Sequence, residues 1–219
     1  MRIDSKLESS TVNGPGDRAV IWVNGCNLKC KGCWNEHTHA IDTSKNIDKY
    51  DLLVWLRQLF KEQKIEGVTF SGGEPLQQVY DLGLLTRTLK REMPELSIGL
   101  YTGYTLNELE SGRFSWFYND GQPGAPGLSK DLWHILKGDI DFAIMGRFNQ
   151  QQLDTTRPYC SSRNQEIVLF SDDYTLSDFN QQEIEFQIDA NGFIQITGFP
   201  VGLEEIQSLS AFNTIERDW

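Results

Sequence analysis

The chain has 219 residues, enough for one ordinary domain with a real core and a short appendage. Its 31 Asp and Glu stand against 20 Lys and Arg, an acidic balance that argues against nucleic-acid binding, which relies on basic surface. No apolar run is long enough to span a membrane and residues 1–10 lack a signal peptide's apolar core, so a cytoplasmic, reducing setting is expected.

The predicted elements alternate between strand and helix. Gly14-Pro15-Gly16-Asp17-Arg18 is a turn-forming stretch leading into a short apolar strand, Ala19 to Val23. Ile47 to Lys61 carries Leu52, Trp55, Leu56, Leu59 and Phe60 at three- and four-residue spacing, the pattern of a helix with one buried face. Val68 to Phe70 reads as a strand, and Val79, Leu82, Leu85 and Leu89 mark a second amphipathic helix. Ile98 to Thr102 is the next strand; Thr105 is placed to cap a short helix from Leu106 to Leu109. From Ser111 to Lys130 the pattern lapses into a Gly- and Pro-rich loop insertion. Leu132, Ile135 and Leu136 suggest one more helix, before strands at Asp141 to Met145 and Ile167 to Phe170. This α/β rhythm predicts right-handed crossovers and a parallel sheet. Its few units fall short of the ~250 residues of a full eight-fold barrel, so a partial, open β/α barrel is expected over residues 12–170. The remainder, 171–219, reads as an extension. There Ile184, Phe186 and Ile188 alternate with polar residues, Asn191-Gly192 supplies a turn, Phe193 to Thr197 returns as a hairpin, and Leu203 to Phe212 forms a closing helix.

Three of the four cysteines lie in one stretch, Cys26, Cys30 and Cys33, spaced C-x3-C-x2-C. In a reducing compartment such clusters bind metal or do redox work more often than they form disulfides. A closed structural zinc site wants four protein ligands, and a protein-held 4Fe–4S cluster usually wants four cysteines. Three thiolates leave one metal position open to something that is not protein. Two readings compete on the loop alone: a three-cysteine 4Fe–4S cluster, or a Cys3His zinc site completed by His37, with His39 close behind. Ser71-Gly72-Gly73-Glu74-Pro75 follows one βα unit later, at a predicted strand end where open parallel sheets bind ligands. Its glycines let backbone approach a small molecule, and Glu74 lies beside them. As a lone Gly-Gly it would read as a tight turn. Following the cysteine loop, it favours the iron–sulfur reading. Cys160 stands apart and reads as a small buried side chain, and no residue is assigned as a general acid or base.

Together, Cys26-x3-Cys30-x2-Cys33 and Ser71-Gly72-Gly73-Glu74-Pro75 resemble the radical S-adenosylmethionine (SAM) superfamily. Gly14-Pro15-Gly16-x-Arg18, Cys33-Trp34-Asn35, Thr102-Gly103-Tyr104 and Ser161-Ser162-x-Asn164-Gln165 are similar to the activating enzymes of anaerobic ribonucleotide reductases. The resemblance implies that Cys26, Cys30 and Cys33 hold three irons of a 4Fe–4S cluster, with SAM on the fourth. Gly32, Trp34, Asn35, Ser71, Gly72, Gly73, Glu74 and Thr102 would then line the SAM site. Arg147 would meet the SAM carboxylate or a substrate, or play a surface role. It further implies reductive cleavage of SAM to a 5′-deoxyadenosyl radical and a glycyl radical on a partner enzyme, with an electron donor such as flavodoxin or ferredoxin. A stand-alone radical SAM enzyme and a non-enzymatic zinc module are the alternatives.

Overall fold

The computed structural model describes residues 1–154, 156–180, 183–188 and 194–198. Their centre is a six-stranded sheet in sequence order: β1 (Ile3–Ser10), β2 (Arg18–Val23), β3 (Gly67–Gly72), β4 (Ser97–Thr102), β5 (Phe142–Met145) and β6 (Glu166–Leu169). β2 to β5 are parallel, whereas β1 and β6 pair antiparallel at the two edges. The predicted strand at Ile167 to Phe170 is therefore present but reversed, and not a fifth parallel unit. It follows β5 through a long loop without a crossover helix, which is what allows it to run backwards.

β1 lies in a segment with no strand signal in the sequence. Ile3 and Leu7 are buried, yet register shifts between Ile3 and Ser5 and between Leu7 and Ser10 break the two-residue alternation that marks a strand.

The crossovers carry α1 (Lys49–Lys61), α2 (Val79–Glu92), α3 (Leu106–Glu110) and α4 (Ser129–Lys137). In α1, the Asp48 side chain accepts from the Tyr50 N–H, and Leu52, Leu53, Leu56 and Leu59 are buried, each worth ~1.5–3 kcal/mol against exposure. Trp55 and Phe60, expected on that face, pack at its margin. In α4, Trp133 and Leu136 face inward while Ile135, expected inside, is exposed. The predicted cap at Thr105 is a full capping box with Glu108. Ala19, Ile21, Val23, Val68, Phe70, Ile98, Leu100, Ala143 and Met145 pack with the helices into one core. On the opposite face, Phe142 and Ile144 meet a second cluster with Tyr159, Cys160 and Phe179.

The insertion from Ser111 to Lys130 is ordered, with Phe117 and Pro123 forming a small antiparallel bridge and Trp116 buried against Tyr80 of α2 and Tyr118. β7 (Ile184–Ile188) and β8 (Ile194–Gly198) form the expected antiparallel hairpin. Its polar residues face the core domain: Glu185 accepts from the Ser10 hydroxyl at 2.8 Å, and Asn13 donates to the Thr197 hydroxyl at 2.9 Å. The predicted Asn191-Gly192 turn and the helix from Leu203 to Phe212 lie outside the described residues.

Candidate active site

The cysteine loop leaves β2 at Val23, at the carboxyl end of the parallel strands. Its two ends meet: the Gly25 N–H donates to the Thr38 carbonyl at 2.7 Å and the Cys26 N–H to the His39 carbonyl at 3.0 Å. Within the loop the Cys33 N–H donates to the Cys30 carbonyl at 3.2 Å, and Leu28 packs onto the core beside Gly103. All three cysteines are free thiols. Burial pushes the Cys26 thiol up to about 12, and the nearby Glu74 charge adds to the effect. Cys30 and Cys33 are also raised by burial; the Phe148 N–H and the Arg147 charge act on Cys30 in the opposite direction. Among the described residues, no three His, Cys, Asp or Glu side chains stand close enough together to enclose a metal ion.

The Ser71–Pro75 turn is built onto that loop. The Gly73 N–H donates to the Val23 carbonyl at 2.8 Å, and the Glu74 N–H to the Gly25 carbonyl at 3.0 Å. A Cβ on Gly73 would sit 2.5 Å from the Gly25 carbonyl oxygen. One on Gly72, whose φ is +95°, would sit 2.6 Å from the Val23 nitrogen. The close approach made by these glycines is thus to the backbone of the cysteine loop's own stem. Glu74 is fully buried. Its carboxylate accepts from the Leu76 N–H at 3.0 Å, the Thr102 hydroxyl at 2.8 Å and the Gly103 N–H at 2.7 Å, tying the end of β4 to the end of β3. Burial outweighs these three donors and pushes its carboxyl up to about 7.

The remaining sequence-predicted residues border this junction. Thr102, besides its bond to Glu74, accepts from the Tyr104 N–H at 3.1 Å. Arg147 follows β5, donates to Glu108 at 2.9 Å and lies over the Tyr104 ring. Its backbone is held by the later motif, for Asn164 donates to the Arg147 carbonyl and Gln165 to the Gly146 carbonyl. Ser71 is paired with Trp22 at the strand ends. Trp34 is exposed beside Cys33, Gly32 lies under the Gln150 side chain, and the Asn35 carbonyl accepts from the Thr38 N–H and hydroxyl. His37 lies 3.4 Å from Asp4. Cys160 is buried in the second core cluster, away from the loop.

Sequence reasoning gave no role to Glu108 or Gln77, which organise the site. Glu108 holds Arg147 together with Tyr104, and of the fully buried pair Gln77 and Gln78 it is Gln77 that grips the loop, at Asn27. Thr105 was legible as a cap and so pointed to Glu108 three residues on; nothing in two adjacent glutamines marks them as buried.

Residues 12–168 match the family described as "4Fe-4S single cluster domain". The chain belongs to that family. Its curated relatives include the anaerobic ribonucleoside-triphosphate reductase-activating proteins of Vibrio cholerae, 30% identical over 73% of this chain and 92% of the relative. That of Haemophilus influenzae is 30% identical over 74% and 94%. That of Enterobacteria phage T4 is 31% identical over 61% and 88%. Among solved structures, QueE from Escherichia coli aligns over 47% of this chain and 52% of its own, at 20% identity and a TM-score of 0.36. The chain is a radical SAM enzyme with a 4Fe–4S cluster and SAM as its cofactors, and the zinc-module reading falls with that assignment.

The donor types agree with that family, though the three thiols are not gathered around one point. Three free, partly buried thiols carried between residues 26 and 33 are soft ligands suited to iron–sulfur ligation. Burial raises all three thiols, and a bound metal would displace their protons.

Proposed function

We propose that the chain generates a glycyl radical on a partner enzyme of the anaerobic ribonucleoside-triphosphate reductase class. Cys26, Cys30 and Cys33 would hold the cluster, with its fourth iron left to SAM. The observation that carries the reading is the pair of backbone hydrogen bonds joining Gly73 and Glu74 to Val23 and Gly25. They fix the Gly-Gly-Glu turn against the cysteine loop at the carboxyl ends of parallel strands, where such sheets take their ligands.

When bound, the cluster supplies the electron that cleaves SAM to methionine and a 5′-deoxyadenosyl radical. The protein's own part is to place and shield. Ser71, Gly72, Gly73 and Thr102 would form the floor, Gly32, Trp34 and Asn35 the loop side, and Arg147 a cation at the rim, steadied by Glu108. Glu74 would act on SAM through the turn it holds rigid, because its oxygens already serve three protein donors. We take residues 12–170 as the core, with its sheet curved as a partial barrel and β1 added at its edge, and 171–219 as an extension. A cytoplasmic location and a small electron-transfer protein as donor belong to the same reading; no helix among the described residues is long and apolar enough to cross a membrane.

The test is anaerobic reconstitution with iron and sulfide, followed by SAM and a strong reductant, with and without the reductase. Wild-type protein should release 5′-deoxyadenosine and raise a glycyl-radical EPR signal on the reductase, while Cys30→Ala should do neither. Product without any radical on the reductase would move the assignment to a stand-alone radical SAM enzyme.

A further inference from the structure

Among the described residues, one polar side chain from outside the loop holds it between Cys26 and Cys30. Gln77 lies on the short turn Pro75–Gln78, directly after the Gly-Gly-Glu motif, and is fully buried. Its Oε1 accepts from the Asn27 N–H at 3.2 Å, and its Nε2 donates to the Asn27 Oδ1. Asn27 itself is exposed and next to Cys26. One side chain therefore fixes both the backbone and the side chain of the residue that follows Cys26.

Gln77 is itself fixed from two further sides. Its N–H donates to the Glu74 carbonyl at 3.0 Å, and its carbonyl accepts from the Phe117 N–H of the insertion at 2.8 Å. A buried amide with both ends used resists rotation, since turning it would oppose donor to donor and acceptor to acceptor.

The adjacent Gln78 gives the contrast. It is as deeply buried, but it accepts from the Arg2 N–H at 2.7 Å and donates to the Arg2 carbonyl at 2.9 Å and the Asn24 carbonyl at 3.3 Å. Gln78 ties β1 to the stem of the loop; Gln77 alone of the two reaches in among the cysteines.

We infer that Gln77 is a positioning residue for the cluster, restraining the Cys26–Cys30 arc through Asn27 so that the loop can gather its thiols when the cluster binds. The inference rests on Cys26, Cys30 and Cys33 being those ligands. Partners that orient ligands typically matter 10–100-fold to metal retention.

The full chain, reconstituted anaerobically with iron and sulfide, tests it in five forms: wild type, Gln77→Leu, Asn27→Ala, the double variant of these two, and Gln78→Leu. The readouts are the rate of iron release to a chelator, the EPR spectrum of the reduced cluster with and without SAM, and the melting temperature before reconstitution. Gln77→Leu and Asn27→Ala should each speed iron release about tenfold or more and alter the EPR line shape. The double variant should be no worse than the stronger single one. Gln78→Leu should lower the melting temperature yet release iron within about twofold of wild type, well short of the effect on an orienting partner. If Gln77→Leu does not fold, Asn27→Ala carries the test alone, because its side chain is exposed. Wild-type release rates in both Asn27→Ala and Gln77→Leu, or equal acceleration in Gln78→Leu, would overturn the inference. A wild type that takes up no 4Fe–4S cluster would overturn the ligand assignment beneath it.

Discussion

At the scale of single residues, the site is decided by backbone contact and by burial. Gly72 and Gly73 sit where a methyl group would strike the chain that leads into the cysteine loop. Gly73→Ala should therefore cost about 2 kcal/mol or more of stability, measured by chemical denaturation, because backbone cannot yield as a flexible side chain does. Glu74 makes a second test. Burial raises its carboxyl from 4.5 to about 7, so between those values the folded protein keeps a proton that the unfolded chain has released. Its contribution to stability is thus full below about 4.5, declines as pH rises towards about 7 and is flat above that. A 13C-NMR titration of the Glu74 carboxyl should show a midpoint near 7, and a midpoint in the ordinary carboxylate range would reject this account. The motif holding these residues was plain in the sequence, but Glu74's role was not. That Glu74 points inward, to Leu76, Thr102 and Gly103, depends on where β4 ends, which no local pattern encodes.

At the scale of elements, the parallel strands and their helices were legible because each carries its own periodicity. Leu52, Leu56 and Leu59 announce α1, and the apolar runs of β2 to β5 announce strands buried on both faces. β1 was invisible because its bulges scramble the alternation, and the reversal of β6 because direction is set by the connection and not by the strand. The order in the insertion was hidden for a similar reason: Trp116 is fixed by Tyr80 on α2, thirty-six positions away in the chain. The capping box of α3 offers a local test. Thr105→Ala should cost about 1 kcal/mol and also remove the hydroxyl from the three donors on one Glu108 oxygen, loosening its hold on Arg147. The cost is read by thermal unfolding, and the release of Arg147 by sharpening of its guanidinium NMR signals.

At the scale of the whole molecule, one buried cation joins the parts. Arg18 donates to the Thr69 hydroxyl at 2.7 Å, the Pro15 carbonyl at 3.0 Å and the Val68 carbonyl at 3.0 Å. It also reaches Ser97, and lies over the Phe142 ring. It thereby links the entry turn, β2, β3 and β4, and through Phe142 the β5 strand, without a carboxylate among its hydrogen-bond partners. A lysine has neither the reach nor the number of donors. Arg18→Lys should destabilise the protein by about 3 kcal/mol, since several buried acceptors would lose their donor together. A loss under about 1 kcal/mol in chemical denaturation would mean that the sheet does not depend on it.

The neck of the cysteine loop, the two hydrogen bonds from Gly25 and Cys26 to Thr38 and His39, has a consequence for time as well as shape. A loop closed at its neck by two backbone bonds, with Gln77 and Leu28 holding its arc, can swing open without the sheet coming apart, at a free energy below that of global unfolding. Amide hydrogen exchange on the metal-free protein should show this as a step. The amides of Gly25 and Cys26 should exchange faster than those of Val68 and Phe70 in the sheet, with the denaturant insensitivity of a small local excursion. The loop would then be a hinged gate through which iron, sulfide and oxidant pass while the rest of the molecule stays closed.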